Sequence, residues 1–154
     1  MYASSLIKYL SEDKYSKNVF CGVKSINEIN NLKLKKPCSL IVNTHKSNQP
    51  GEHWFAIYLP LGKPIEIFDS FGLMPNYNEL KSFVNINGKS FIYNKKHLQH
   101  YSNNTCGLFC LLYILFRSRN FSYIKIMKFF VHNKFINDKI VINIFKKLNK
   151  KINK

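Results

Sequence analysis

The sequence predicts an α+β fold, helices packed against a small mixed sheet, and three observations carry that reading. Short apolar, β-branched runs occupy the middle of the chain, turn residues separate two of them, and from Thr105 onward the apolar residues recur at helical spacing. Taken in order, Ser4 to Leu10 is a short helix with Leu6, Ile7 and Leu10 on one side. Ser39 to Asn43 reads as a buried strand. Trp54 to Leu59 and Pro64 to Asp69 are strands, and Pro60-Leu-Gly-Lys63 between them makes the pair an antiparallel hairpin. Asn76 to Val84 is a short helix, and Ser90 to Tyr93 a further strand. Cys106 to Phe116 is apolar on nearly every side, as a helix buried in the middle of a domain must be. Ser122 to His132 is a second helix. Over about 136–152, Ile136, Ile140, Val141, Ile144, Phe145, Leu148 and Ile152 line one side while Lys139, Lys146, Lys147, Lys150 and Lys151 fill the other, a basic amphipathic helix.

At 154 residues the chain has the size of one domain, spanning 1–154, and its 45% apolar content, with 13 Phe and 9 Tyr, excludes disorder over most of its length. Its 24 basic against 8 acidic residues leave +16, nearly all lysine because Arg117 and Arg119 are the only arginines. Such an excess suits a polyanion, nucleic acid ahead of an anionic membrane surface, although AT-rich coding DNA would enrich lysine as well. The longest apolar run, Leu108 to Phe116, is well short of the roughly 20 residues that cross a bilayer. Met1 to Leu10 has neither the basic nor the apolar region of a signal peptide, so secretion is not expected. Cys21, Cys38, Cys106 and Cys110 read as free thiols, and two cysteines at i and i+4 do not complete a zinc shell, so no metal is expected.

The chemistry concentrates around Asn103-Asn-Thr-Cys-Gly-Leu-Phe-Cys110. Thr105 and Asn104 are good N-cap residues, which puts Cys106 in the first turn of the buried helix, where the dipole favours a thiolate. Gly107 clears the space a substrate backbone needs. Taken alone, Cys106 could equally be a small buried apolar residue like Cys110. A base is at hand in the hairpin: if Leu59 pairs with Ile65, His53 falls opposite Phe71 and Asp69 opposite Phe55, at one edge of the sheet. There a carboxylate can orient an imidazole and stabilise its charged form. Gln99 reads either as a solvated loop residue or as an amide that, with the Cys106 N–H, makes a two-donor oxyanion hole. His45, His97, His100 and His132 compete for the role of base, but neither His97 nor His100 has a carboxylate near it in sequence.

These residues resemble the adenovirus-type cysteine protease family (adenain), which shares its papain-like architecture with the ubiquitin-like-protein-specific proteases. The resemblance rests on Ser39-Leu-Ile-Val-Asn-Thr44, Gly51-Glu-His-Trp54, Ile67-Phe-Asp-Ser-Phe-Gly72, Gln99 and Thr105-Cys-Gly-Leu-Phe-Cys110 in that order, and weakly on Phe20-Cys-Gly-Val23; it reaches to about Phe116. It implies His53 as base, Asp69 as orienter where many relatives use Glu, Gln99 as oxyanion donor and Cys106 as nucleophile. Trp54 beside the base would shield it, with Gly107 and Asn43 as further substrate-binding or supporting residues. The family's activating peptide is held by a disulfide to a cysteine between the acid and the glutamine, and no cysteine lies between Asp69 and Cys106. A noncovalent peptide or DNA is the activator that then remains.

The expected function is that of a cysteine endopeptidase of a DNA virus or virus-like element, acting as a monomer in the virion and the host nucleus or cytoplasm. Its substrates would be structural precursor proteins cleaved during particle maturation, and no other cofactor is expected. Two alternatives stand beside it: a deconjugase of ubiquitin-like modifiers on the same architecture, and an inactive basic DNA-binding protein that keeps the fold. Nonspecific DNA binding is expected on Lys146, Lys147, Lys150 and Lys151, since lysine neutralises phosphates but reads few base edges.

Overall fold

A sheet whose strands are apolar on both faces must be covered on both, and here each face meets its own helices. The computed structural model describes residues 3–152, with side chains through residue 150. Five strands, β1 (Phe20–Ser25), β2 (Cys38–Asn43), β3 (Trp54–Leu59), β4 (Ile65–Phe68) and β5 (Phe91–Tyr93), lie side by side in chain order. The two inner pairings are antiparallel and the two outer ones parallel, so the sheet is mixed. A parallel neighbour requires a crossover. The first passes through a 3-10 turn at Ile26–Glu28 and the second through helix α2 (Asn78–Asn87). These pack with Leu40, Val42, Phe55, Ile57, Ile65 and Ile67 on one face. Ile41, Ala56, Tyr58 and Phe68 point the other way, toward α1 (Ala3–Glu12), α3 (Cys106–Ser118), α4 (Tyr123–Phe129) and α5 (Lys134–Ile152).

The hairpin has the expected register, Ala56 opposite Phe68, Ile57 opposite Ile67 and Tyr58 opposite Glu66. Strand β1 was not expected. Its pairing with β2 slips between Phe20 and Val23, and Gly22 takes up the slip at φ +120°, so a bulge with no apolar alternation hides the strand in the sequence. In α1 the buried face is Leu6, Tyr9 and Leu10, while Ile7 is exposed, because i, i+3 and i+4 define one side of a helix. Helix α2 starts two residues later than expected and runs three further, its last residue Asn87 donating to the carbonyls of Leu32 and Phe83 and accepting from Leu34 N–H. Ser122 caps α4 through Lys125 N–H, and that helix ends at Phe129, short of His132.

Polar contacts fasten α3 to the sheet and α1 to α3. On β4, buried Glu66 accepts from Tyr113 Oη at 2.6 Å and from Arg117 Nη2 at 3.0 Å, with the Arg117 guanidinium 4.4 Å above the Tyr58 ring. Farther out, Arg119 pairs with Asp13, holding α1 to the end of α3. The start of α5 corrects the sequence reading: Ile136 is exposed and Asn137 and Asp138 are buried, because the loop before α3 occupies that side and needs polar partners. Beyond them Val141, Ile144, Phe145 and Leu148 pack on the helical layer, and Lys146, Lys147 and Lys150 face solvent. The Lys151 side chain lies outside the described residues. Among the described residues no helix is long and apolar enough to cross a membrane.

Candidate active site

Strand ends and one helix start meet at a single edge of the sheet. His53 immediately precedes β3, Asp69 immediately follows β4, and Cys106 is the first residue of α3, which lies across the sheet. His53 Nε2 and Asp69 Oδ2 are 2.8 Å apart, and the carboxylate is almost wholly buried. Asp69 is fixed from several sides: its Oδ1 accepts from Phe71 N–H at 2.7 Å, and buried Asn94 accepts from Asp69 N–H and donates to Asp69 O. With Nε2 turned to the acid, the ring's Nδ1 is the nitrogen left for Cys106. Burial alone would lower the His53 pKa, but the hydrogen bond to Asp69, then that to Cys106, and the charges of both push it up to about 9. The surroundings thus favour the charged imidazole, held between the Asp69 carboxylate and the Cys106 sulfur.

The Thr105 cap expectation needs correction. Thr105 sits at the cap position with φ −102° and ψ 0°, away from the extended backbone a capping residue adopts, and its hydroxyl donates to Asp138 Oδ1 at 2.6 Å. Its carbonyl takes the N–H groups of Leu108 and Phe109. The N–H groups of Cys106 and Gly107 have no acceptor within the helix. Cys110, one turn along, is fully buried, and burial raises its thiol well above the ordinary value, which disfavours its thiolate.

Gln99 is not a solvated loop residue: it is 1% exposed. Its Oε1 accepts from Ser70 Oγ at 2.6 Å, its Nε2 donates one hydrogen to Asn103 O, and its backbone N–H and that of Leu98 both reach Ser70 O. The Asp69-Ser70 turn thus holds the acid and the Gln99 loop together. Gly72 permits this approach, since at φ +72° a Cβ would lie 2.8 Å from the Lys96 carbonyl carbon.

Besides Trp54, the next residue in the chain, a second aromatic ring lies against the base. Phe71 stacks on His53 with ring centres 4.9 Å apart, and Tyr101 stacks on Phe71 in turn. The hairpin register already sets Phe71 opposite His53, and that was the signal for it in the sequence. Trp54 packs toward the helical layer and, with Ser25, Asn43, Lys46, Gln49 and Gly51, lines a cleft of about 390 Å³. Asn43 is buried there, its Oδ1 accepting from His45 N–H. Gly107 is the buried second residue of α3.

Three of the four competing histidines have other partners. His45 pairs with Glu52 at 2.7 Å, His100 stacks on Phe135 and meets Ser102 Oγ, and His97 packs on Phe71 and Tyr101, its pKa lowered by burial and then by Lys134. Sequence reasoning missed Ser70, Phe71, Asn94, Asn137 and Asp138, all of which act on the site through hydrogen bonds or stacking across the fold. Among the described residues no group of three His, Cys, Asp or Glu side chains could hold a metal ion.

No protein-family model matches the sequence, and no curated protein matches it. Among solved structures the chain is similar to a crystal structure of selenomethionine ASFV pS273R protease, at 23% identity and a TM-score of 0.45, over 70% of this chain and 45% of that one. The chain therefore matches less than half the length of that protein.

Proposed function

We propose that the protein is a cysteine endopeptidase with Cys106 as nucleophile, His53 as base and acid, and Asp69 as orienter. The observation that carries this is one imidazole hydrogen-bonded to a buried carboxylate and coupled to a thiol at a helix start, with its pKa pushed up to about 9. The Cys106 thiolate attacks the peptide carbonyl carbon, and the oxygen takes the electron pair. As the C–N bond breaks, His53 gives its proton to the leaving amine. His53 then deprotonates a water that hydrolyses the thioester, restoring thiolate and imidazolium. The oxyanion would be received by the uncapped N–H groups at the start of α3, those of Cys106 and Gly107, together with the second amide hydrogen of Gln99. Trp54 and Asn43 in the cleft, and the small Gly107, would border the peptide.

The resemblance to adenovirus-type proteases extends the reading to a viral or virus-like element whose structural precursors are cleaved during maturation. Incubating the protein with precursor proteins encoded by the same element, then identifying new termini by mass spectrometry, tests it. Cleavage by the native chain and none by Cys106→Ala is expected. A fluorogenic ubiquitin-like substrate runs alongside: turnover of that substrate alone would make the protein a deconjugase. No reaction of Cys106 with an electrophile at neutral pH would leave an inactive fold.

A further inference from the structure

We infer that Asp138, on α5, is a positioning residue for this reaction: it holds the Thr105 hydroxyl away from the start of α3, so that the N–H groups of Cys106 and Gly107 stay open to the substrate's carbonyl oxygen. The inference rests on the cysteine-protease reading and deepens it. Asp138 is 2% exposed and, among the described residues, has no ion-pair partner. A carboxylate buried without a counter-charge must be satisfied by hydrogen bonds. Its donors all belong to the segment that ends at the nucleophile: Thr105 Oγ1 at 2.6 Å, Asn103 Nδ2 at 2.7 Å and His100 N–H at 3.0 Å.

The neighbouring residue extends the clasp. Asn137 donates to Leu98 O at 3.1 Å, so consecutive residues of α5 grip the loop at Leu98, His100, Asn103 and Thr105. Gln99 lies inside that grip, its amide donating to the carbonyl of the same Asn103 whose side chain reaches Asp138. A threonine before a helix ordinarily accepts from the second or third helical N–H. At α3 the second is Gly107 N–H, and a capping hydroxyl would occupy it. Asp138 draws the hydroxyl the other way, and the first turn is left without a side-chain cap.

Two thiol reactions separate this role from a structural one. A peptide aldehyde forms a hemithioacetal: the Cys106 sulfur bonds the carbonyl carbon, the C=O π pair moves to oxygen, and that oxygen takes a proton from His53 or a hydrogen bond from the N–H donors. Iodoacetamide alkylates the sulfur with loss of iodide and forms no oxyanion, so its rate at Cys106, followed by peptide mass spectrometry apart from exposed Cys21, reports the thiolate alone. With rates expressed per alkylatable thiol, Asp138→Asn should lower kcat and weaken aldehyde inhibition in parallel by about tenfold to a hundredfold. KM and the alkylation rate should stay within about twofold. In Asp138→Ala, adding Thr105→Val removes the hydroxyl that would close the cap and should restore most of the lost turnover. Unchanged kcat per thiol in Asp138→Asn, or alkylation that falls together with kcat, would overturn the role. If Asp138→Asn does not fold, Thr105→Val alone decides: a fall in kcat beyond about tenfold at unchanged alkylation overturns it too. A native chain that neither cleaves precursors nor alkylates faster than a free cysteine removes the protease reading itself, and the inference with it.

Discussion

Two cysteines one helical turn apart have opposite environments. Cys106 lies at the open start of α3 against His53, and Cys110 is sealed in the core with its thiol pushed up by burial. Cys106→Ala should therefore abolish hydrolysis while Cys110→Ala keeps most of it, with activity measured per folded molecule; a dead Cys110→Ala would reverse the assignment. The His53–Asp69 contact has a consequence in pH. An imidazole raised from the ordinary 6.5 to about 9 stabilises the fold fully below about 6.5, and that contribution is lost as pH rises through about 9. The rate constant for Cys106 alkylation and kcat/KM should both change near pH 9 as the imidazolium loses its proton. Asp69→Asn keeps a hydrogen-bond partner but loses the charge, so that transition should move to lower pH and kcat should fall by about a hundredfold or more. A pH profile coincident with that of the native chain would reduce Asp69 to a turn residue.

Among the elements, α3 depends on β4 for its seat. Glu66 is a buried acid whose hydrogen bonds reach Tyr113 and Arg117, two turns and three turns along that helix from Cys106. Glu66→Gln leaves Arg117 facing a neutral amide and should cost about 2–3 kcal/mol, read as a lower Tm, while iodoacetamide reactivity in the folded protein stays as it was. A Tm unchanged within a degree or two would mean that the pair contributes nothing net. What could be read from the sequence follows the range of the forces involved. Hairpin register is local, set by a short turn and by apolar strands on either side, so the pairing that brings His53 and Asp69 to one edge was legible. The bulged β1 was not, because Gly22 breaks the alternation that marks a strand. Nor were Asn137 and Asp138: polar residues near a helix start look solvent-facing until the loop some thirty residues upstream is seen to need acceptors there. Thr105 misled for the same reason, since its hydroxyl had two suitors and the distant one won.

For the molecule as a whole, charge and chemistry are divided between two sides of α5. Its inner side carries Asn137, Asp138 and the apolar contacts, and Lys146, Lys147 and Lys150 point outward. We propose that this outward side binds duplex DNA without sequence preference. Converting Lys146, Lys147, Lys150 and Lys151 to Gln should weaken binding and flatten the dependence of log affinity on log salt by roughly three to four, if each lysine meets a phosphate. A labelled-duplex titration at several salt concentrations measures both, and an unchanged slope would put the DNA elsewhere. The clasp from α5 to the Gln99 loop also orders events in time. His53, Asp69, Gln99 and Cys106 are all translated before Asp138. At ~5–20 residues per second the ribosome needs roughly two to six seconds to travel from Cys106 to Asp138. During that interval the growing polypeptide holds every group proposed to react and lacks Asp138. On the proposed reading, ribosome-arrested chains of graded length should accordingly cleave peptide about tenfold to a hundredfold faster once residue 138 has emerged.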